Sequence, residues 1–245
     1  MKTVDSVLIS PRTLSRFLLI GLLLVSIQDI AGNFEVAAFT GFGSYQLNDL
    51  RTFQHESLPQ LGVDIRSTTN FPSYYYYQLS MLYYIRDKWG IGITGSFFST
   101  GGRNHYKDYS GEYKFDMLTN ARNIGVVFNR KINLKNGLFI IPEICAGIKL
   151  SDLKLMESHR VYADSTSSEF LVKSIGMWVE PRVRLMYMPL SFLGVGASIG
   201  YEYNLPSKNY LSTDHDRFLM LISKRENMRF DWSGLRPNIN MIFTF

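Results

Sequence analysis

Eight stretches of this chain alternate apolar and polar side chains with period two, and the links between them are by turns long and short. They cover residues 34–46, 73–86, 89–100, 115–131, 138–150, 170–187, 192–204 and 235–245. Period two puts successive side chains on opposite faces of an extended strand, so each stretch has one apolar and one polar face. The short links are Asp87-Lys88, Asn133–Gly137 and Met188–Ser191, which carry turn residues or are tight enough for hairpins. The long links cover residues 47–72, 101–114, 151–169 and 205–234. An even number of antiparallel strands joined in this rhythm returns both ends to one side, the layout of a barrel that crosses a membrane with turns on one side and loops on the other.

The two faces can be assigned strand by strand. In the third stretch Trp89, Ile91, Ile93 and Phe97 oppose Gly90, Gly92, Thr94 and Ser96. In the seventh Leu193, Val195, Ala197, Ile199, Tyr201 and Tyr203 oppose Gly194, Gly196, Ser198, Gly200, Glu202 and Asn204. A soluble calyx with its apolar face inward shows the same alternation, so glycine has to discriminate. A narrow eight-stranded barrel needs small residues inside to make room for large ones such as Trp178 and Arg184. Glycine-rich polar faces therefore belong inside and the apolar faces against lipid. Tyr74 to Tyr77, Tyr83, Tyr84 and Trp89 gather near the ends of one hairpin, where aromatic girdles are expected. Pro142 and Pro181 fall inside the fifth and sixth strands, and a local bulge is expected there because each removes a ladder donor.

The start of the chain supplies an address. Lys2, Arg12 and Arg16 precede the apolar run Phe17–Val25, and the small residues Ala31 and Gly32 follow, as in a cleaved secretory leader. The run is too short to span a bilayer as a helix, and nothing after residue 33 is long and apolar enough to do so. The sequence thus divides into a leader, residues 1–32, and a barrel, residues 33–245. A membrane protein without membrane helices must be a closed barrel, because only closure satisfies every backbone group in lipid. The net charge of +5 is dispersed and does not point to nucleic acid; on an exported chain it suits anionic lipopolysaccharide. The lone Cys145 sits within a strand and reads as a small buried residue.

The last stretch, Ile239-Asn240-Met241-Ile242-Phe243-Thr244-Phe245, ends on an aromatic with apolar residues two, four and six places before it. Ile239, Met241, Phe243 and Phe245 resemble the signal by which the barrel-assembly machinery of bacterial outer membranes recognises its clients. With the leader and the eight strands, the chain resembles the small eight-stranded outer-membrane β-barrels of Gram-negative bacteria, the group of the OmpA transmembrane domain and the OmpX-like proteins. The resemblance implies an all-β, closed, antiparallel up-and-down transmembrane barrel in the outer membrane, surrounded by outer-membrane lipid and lipopolysaccharide. No peptidoglycan-binding domain follows the barrel, so attachment to the cell wall is not implied.

Charged residues on the polar faces are the most chemical feature. Glu143 and Lys149, then Glu180, Arg182 and Arg184, then Glu202 face inward, with Lys131 and Arg86 as candidates to join them. Charges in a narrow interior must be paired or hydrated, so they are expected to form a network that fills the lumen; a narrow solute channel is the alternative. His55, His105, His159 and His215 fall one in each long link. Asp214-His215-Asp216 resembles the acid–His pairing of outer-membrane proteases, and Ser212, His215 and Glu226 are the candidates for a lipid A-modifying or proteolytic rim. Solvated loop histidines are the simpler reading. No motif calls for a cofactor or a metal. The sequence therefore favours a non-enzymatic envelope barrel whose external loops bind or shield, with an extracellular ligand unspecified. The apolar run Phe218–Ile222 must be buried by strand extension or by folding over the mouth.

Overall fold

Long strands form where the period-two pattern runs. In the computed structural model, which describes residues 34–56, 66–109, 111–162, 164–205, 209–214, 216–221 and 223–245, they are β1 Phe34–Gly43, β2 Tyr74–Ile85, β3 Trp89–Lys107, β4 Gly111–Arg130, β5 Leu138–Val161, β6 Asp164–Tyr187, β7 Leu193–Leu205 and β8 Gly234–Thr244. The leader of residues 1–32 lies outside the described residues. Each strand pairs antiparallel with the next, and β8 returns to β1 in the register Glu35↔Thr244 through Gly41↔Asn238. The sheet closes on itself as the expected up-and-down barrel of eight strands.

The side chains divide as the sequence implied. Ile93 is 62% exposed and Ile239 64%, while Arg184 and Glu202 are 0% exposed. An exterior of isoleucine around an interior of arginine is the reverse of a soluble core, and lipid is the solvent that suits it. Tyr75, Tyr77, Tyr83, Trp89 and Tyr203 stand outside, but Tyr76 and Tyr84 are buried in the lumen and are not girdle residues. Parity decides this, since Tyr76 and Tyr84 share a face with Gln78, Ser80 and Leu82.

Two turns use left-handed backbone. Asn136 and Gly137 take φ of 51° and 76°, and Arg86 and Asp87 take 52° and 55°, which is the pair of conformations a two-residue hairpin needs to match strand twist. Arg86 is therefore spent on a turn and exposed. It does not join the interior charges as the sequence had suggested.

The expected bulge at the prolines is absent. The β5–β6 ladder keeps one register through Pro142↔Val183 and Ile144↔Pro181. Each proline faces away from that ladder: the β4–β5 pairing ends at Asn129↔Glu143, one residue short of Pro142, and the β6–β7 pairing omits Glu180 and Pro181 before resuming unshifted at Arg182↔Gly200. The missing donors fall where no partner strand is bonded, so no extra residue is required.

Two of the four long links are strand rather than loop. β3 and β4 stay paired up to Lys107↔Glu112, and β5 and β6 up to Val161↔Asp164. Asp152 to Val161 is ten residues of β5, about 30 Å of strand beyond the apolar belt. Above the lipid the outward positions turn polar, with Arg103, His105, Lys114 and Lys154, while Phe115, Met117, Leu153 and Leu155 keep the inner face apolar.

The other two links fold inward. Helix α1, Asn48–Glu56, follows β1, and the short strand Arg66–Asn70 pairs with β3. From the last link, Asn209–Leu211 pairs with β6, and Met220–Leu221 pairs with Glu226–Asn227.

Candidate functional site: a charged lumen beneath an apolar plug

The upper interior is filled by side chains from both inward-folded links. Leu47, Leu50 and Phe71 from one side and Leu221, Met228, Phe230 and Trp232 from the other pack against Tyr76, Phe98, Met117 and Leu153 of the strands. Trp232 meets Tyr45 and Phe98 edge-on at 5.0 Å each, and its Nε1 donates to Ser151 Oγ at 3.1 Å. The run Phe218–Leu221 thus enters this plug through Leu219 and Leu221; Ile222 lies outside the described residues. Polar ties hold the links in place. Gln54 Nε2 donates to Asn104 Oδ1 at 2.9 Å, and Asn104 Nδ2 returns a bond to Gln54 O at 3.0 Å, both buried. Asp49 accepts from Lys224 Nζ and from the amide of Arg229, joining the first link to the last.

Below the plug, charges alternate in sign along one connected path. It starts at the short-turn end, where Lys131 Nζ lies 2.8 Å from Glu35 and over the ring of Tyr84. Glu35 pairs with Arg184 at 3.3 Å, Arg184 with Glu143 at 2.9 Å, and Glu143 with Arg182 at 3.5 Å. Arg182 continues to Glu180 at 3.0 Å, Glu180 to Arg236 at 3.8 Å, and Arg236 to Glu202 at 3.0 Å. Glu202 ends the path on Lys149, whose ammonium sits under the plug, 5.1 Å from the ring of Phe98 and 5.9 Å from that of Trp232. Amides add to the shell: Asn123 donates to Glu202 at 2.7 Å, Asn129 to Glu143 at 3.3 Å, and Arg182 donates to Gln78 at 3.0 Å.

Of the residues chosen from sequence, the path contains Lys131, Glu143, Lys149, Glu180, Arg182, Arg184 and Glu202. Sequence reasoning missed Glu35 and Arg236, which are 0% and 1% exposed and supply two of the links. Their signal was present: each is a charge alternating with apolar residues, Phe34 and Val36 or Leu235 and Pro237. The buried acids Glu35, Glu143, Glu180 and Glu202 balance the buried bases Lys149, Arg182, Arg184 and Arg236. Such balance lets a dehydrated interior hold charge without a bound counter-ion. Beside the path, Cys145 is buried with Leu82, Tyr84, Val127 and Trp178, and Ala37, Phe39, Ile141, Met186 and Ile242 form a further apolar cluster.

The rim candidates are placed differently. Ser212 donates its amide to Leu171 O, and Glu226 lies in the strand pair with Leu221; the described contacts do not join them, and His215 lies outside the described residues. His105 faces outward and meets Glu112 at 3.0 Å, whereas His159 faces inward, meets Glu157 at 2.8 Å and packs on Tyr113 at 4.7 Å. His55 lies in the last turn of α1 beside Asn70. Glu112 also takes Lys114 at 2.9 Å. Hydrogen bonds from Lys114 and then His105 hold its carboxyl down at about 2, well below the ordinary range.

The lipid-facing girdle, the polar filled interior and the short turns beside the start of β1 and the end of β8 now stand together. The architecture is that of a closed eight-stranded β-barrel with an apolar exterior and a charged interior. No protein-family model and no curated protein matches the sequence. Among solved structures, the chain is similar to the outer membrane protein OprG from Pseudomonas aeruginosa, at 13% identity and a TM-score of 0.45 over 88% of this chain and 96% of that one. It is also similar to Neisserial surface protein A, at 12% identity and a TM-score of 0.39 over 88% of this chain and 98% of that one. A third similar structure is Ail, the attachment invasion locus protein of Yersinia pestis, at 13% identity and a TM-score of 0.34 over 87% and 99%.

Proposed function

We propose that this protein is a non-conducting barrel of the outer membrane that works through its extracellular wall rather than through its lumen. The observation that carries the reading is the unbroken alternating charge path under an apolar plug, which leaves solutes no hydrated route. Accessible above the apolar belt is the pair of long hairpins. Each carries an exposed tyrosine at its tip, Tyr109 at 96% and Tyr162 at 77%, and amphipathic tyrosines with little rotamer freedom make good contact residues. The inner face of the wall adds the tilted ring pair Tyr113 and His159.

Ile239, Met241, Phe243 and Phe245 are proposed as the feature read by the assembly machinery. Ile239 and Met241 point outward on β8, the strand that meets β1 at the seam, where Phe245 N donates to Phe34 O at 2.8 Å.

Two measurements test the reading. Purified barrel in planar bilayers should give no stepwise conductance, and steady single-channel steps would favour a channel instead. Cells displaying the protein, applied to an array of glycans and matrix proteins, should be retained on one class of spot and released by the pair Tyr109→Ala with Tyr162→Ala. Retention on no spot, or retention indifferent to the tyrosines, would overturn the binding role.

A further inference from the structure

The outer wall carries two hollows on one line along the β3–β4 pair, with a cation between them. The lower, about 310 Å³, opens among Leu79, Ile93, Gly95 and Ile124 inside the apolar belt. The upper, about 450 Å³, opens above the belt among Pro72, Tyr74, Gly101, Leu118 and Met156, with Arg103 and Asp116 at its margin. The register aligns them: Gly95 pairs with Ile124, Phe97 with Arg122, Ser99 with Asn120, and Gly101 with Leu118. Outward residues follow at i+2, roughly 7 Å apart, so Arg122 lies about 7 Å above the floor of the lower hollow and about 13 Å below that of the upper.

Arg122 is exposed, and no hydrogen bond or ion pair ties it to any described residue. Its neighbours in the ladder are apolar, Phe97 on β3 and Leu150 on β5. On β4 it ends the lipid-facing series Phe128, Val126 and Ile124, so its guanidinium stands at the level where hydrocarbon gives way to headgroups. A charge there is tolerated because the cost falls toward the interface. A guanidinium presents a planar fork of donors that fits a phosphate.

We propose that this stripe binds one molecule of a phosphorylated glycolipid of the outer leaflet. An acyl chain fills the hollow at Gly95, a phosphate meets Arg122, and the sugars enter the upper hollow beside Tyr74. The fold itself does not require Gly95 to be small: a Cβ there would find its nearest atom at 3.7 Å, so a side chain fits without moving the backbone and would occupy the acyl chain's place. The proposal rests on the outward face being lipid-facing, and goes beyond it by naming which lipid and where.

The test is native mass spectrometry of the refolded barrel in detergent with bisphosphorylated lipid A, its phosphate-free counterpart, or phosphatidylglycerol. One bisphosphorylated lipid A should stay bound per barrel. Binding should fall about tenfold with Arg122→Ala and with the phosphate-free lipid, the loss expected for one charge-assisted contact. Gly95→Leu should also weaken it, while Lys173→Ala, a cation at the same boundary on β6 and outside both hollows, should not. Equal binding of phosphorylated and phosphate-free lipid, indifference to Arg122→Ala, or equal retention of phosphatidylglycerol would overturn the proposal. Heat-modifiable migration of each variant on a gel reports the barrel separately, so failure of the lipid site is distinguishable from failure of the fold.

Discussion

Arg184 donates to Glu143 across 2.9 Å in the interior of the barrel, and its other nitrogen reaches Glu35 at 3.3 Å, so one guanidinium from β6 ties β5 to β1. All three groups are fully or nearly fully buried. Arg184→Met should destabilise the barrel by about 3–5 kcal/mol, because it strands buried carboxylates rather than because the pair itself is strong. Adding Glu143→Gln should recover part of the loss. Urea unfolding in detergent, followed by the heat-modifiable gel shift, measures both; equal midpoints for Arg184→Met and the parent would refute the account.

Gly147 pairs with Gly125 on one side and with Trp178 on the other. A Cβ at Gly147 would lie 2.1 Å from Ile124 O, a backbone atom. Gly147→Ala should therefore cost about 1–3 kcal/mol as an overpacking change, although alanine is barely larger. Gly95→Ala, where space is open, should leave the unfolding midpoint unchanged.

Trp232 anchors the plug. Trp232→Ala should cost about 3–5 kcal/mol of local packing and expose residues 205–234 to protease on whole cells. Planar bilayers should nevertheless stay silent, since the charge path beneath is untouched. Conductance in this variant would show that the plug alone closes the lumen.

Acid should open the clasp near the tip of the first hairpin. The Glu112 carboxyl is lowered from 4.5 to about 2 by bonds from Lys114 and His105. A depressed carboxylate contributes stability that is present above its unfolded value and is lost as pH falls through the folded one. The contribution should thus hold down to about pH 4.5 and fade toward about pH 2. Carboxyl-carbon NMR of the folded barrel reads this directly, and a midpoint near the ordinary glutamate value would contradict the clasp.

The junction of the two hairpins, where Tyr113 of the first meets Glu157 and His159 of the second, supplies an alkaline counterpart. Burial, with help from Glu157, raises the Tyr113 hydroxyl to about 12. The neutral phenol's contribution should be complete below about pH 10 and lost as pH rises toward about 12, with Glu157→Gln lowering the midpoint. Ring-carbon NMR of Tyr113 is the measurement.

Strand count, facing and most of the interior charge were legible because lipid demands hydrophobicity on one face and forbids it nowhere on the other. The pattern failed where that demand ends. Beyond Leu150 and Ile175 the outward positions of β5 and β6 become Asp152, Lys154, Lys173 and Glu169, so residues 151–169 lose their contrast and look like loop. The ladder continues there because backbone pairing and inner residues such as Leu153 and Val172 suffice. α1 was not foreseen for a related reason: within Asn48–Glu56 only Leu50 and Phe53 are apolar, too few to draw a helical stripe. Arg86 was misplaced because a turn with left-handed backbone overrode the parity of its strand. The rim residues Ser212 and Glu226 had no spacing to fix them, and folding does not bring them into contact with each other among the described bonds.

The seam joins β1 to β8, and Phe34 to Phe245, across almost the whole length of the chain. Neighbouring strands can zip as they emerge, but the ring stays open, with two bare edges, until the final segment is available. Until that segment is in place the polypeptide is a greasy, unsealed ribbon, and the time it spends so is set by its slowest junction rather than by any of its hairpins.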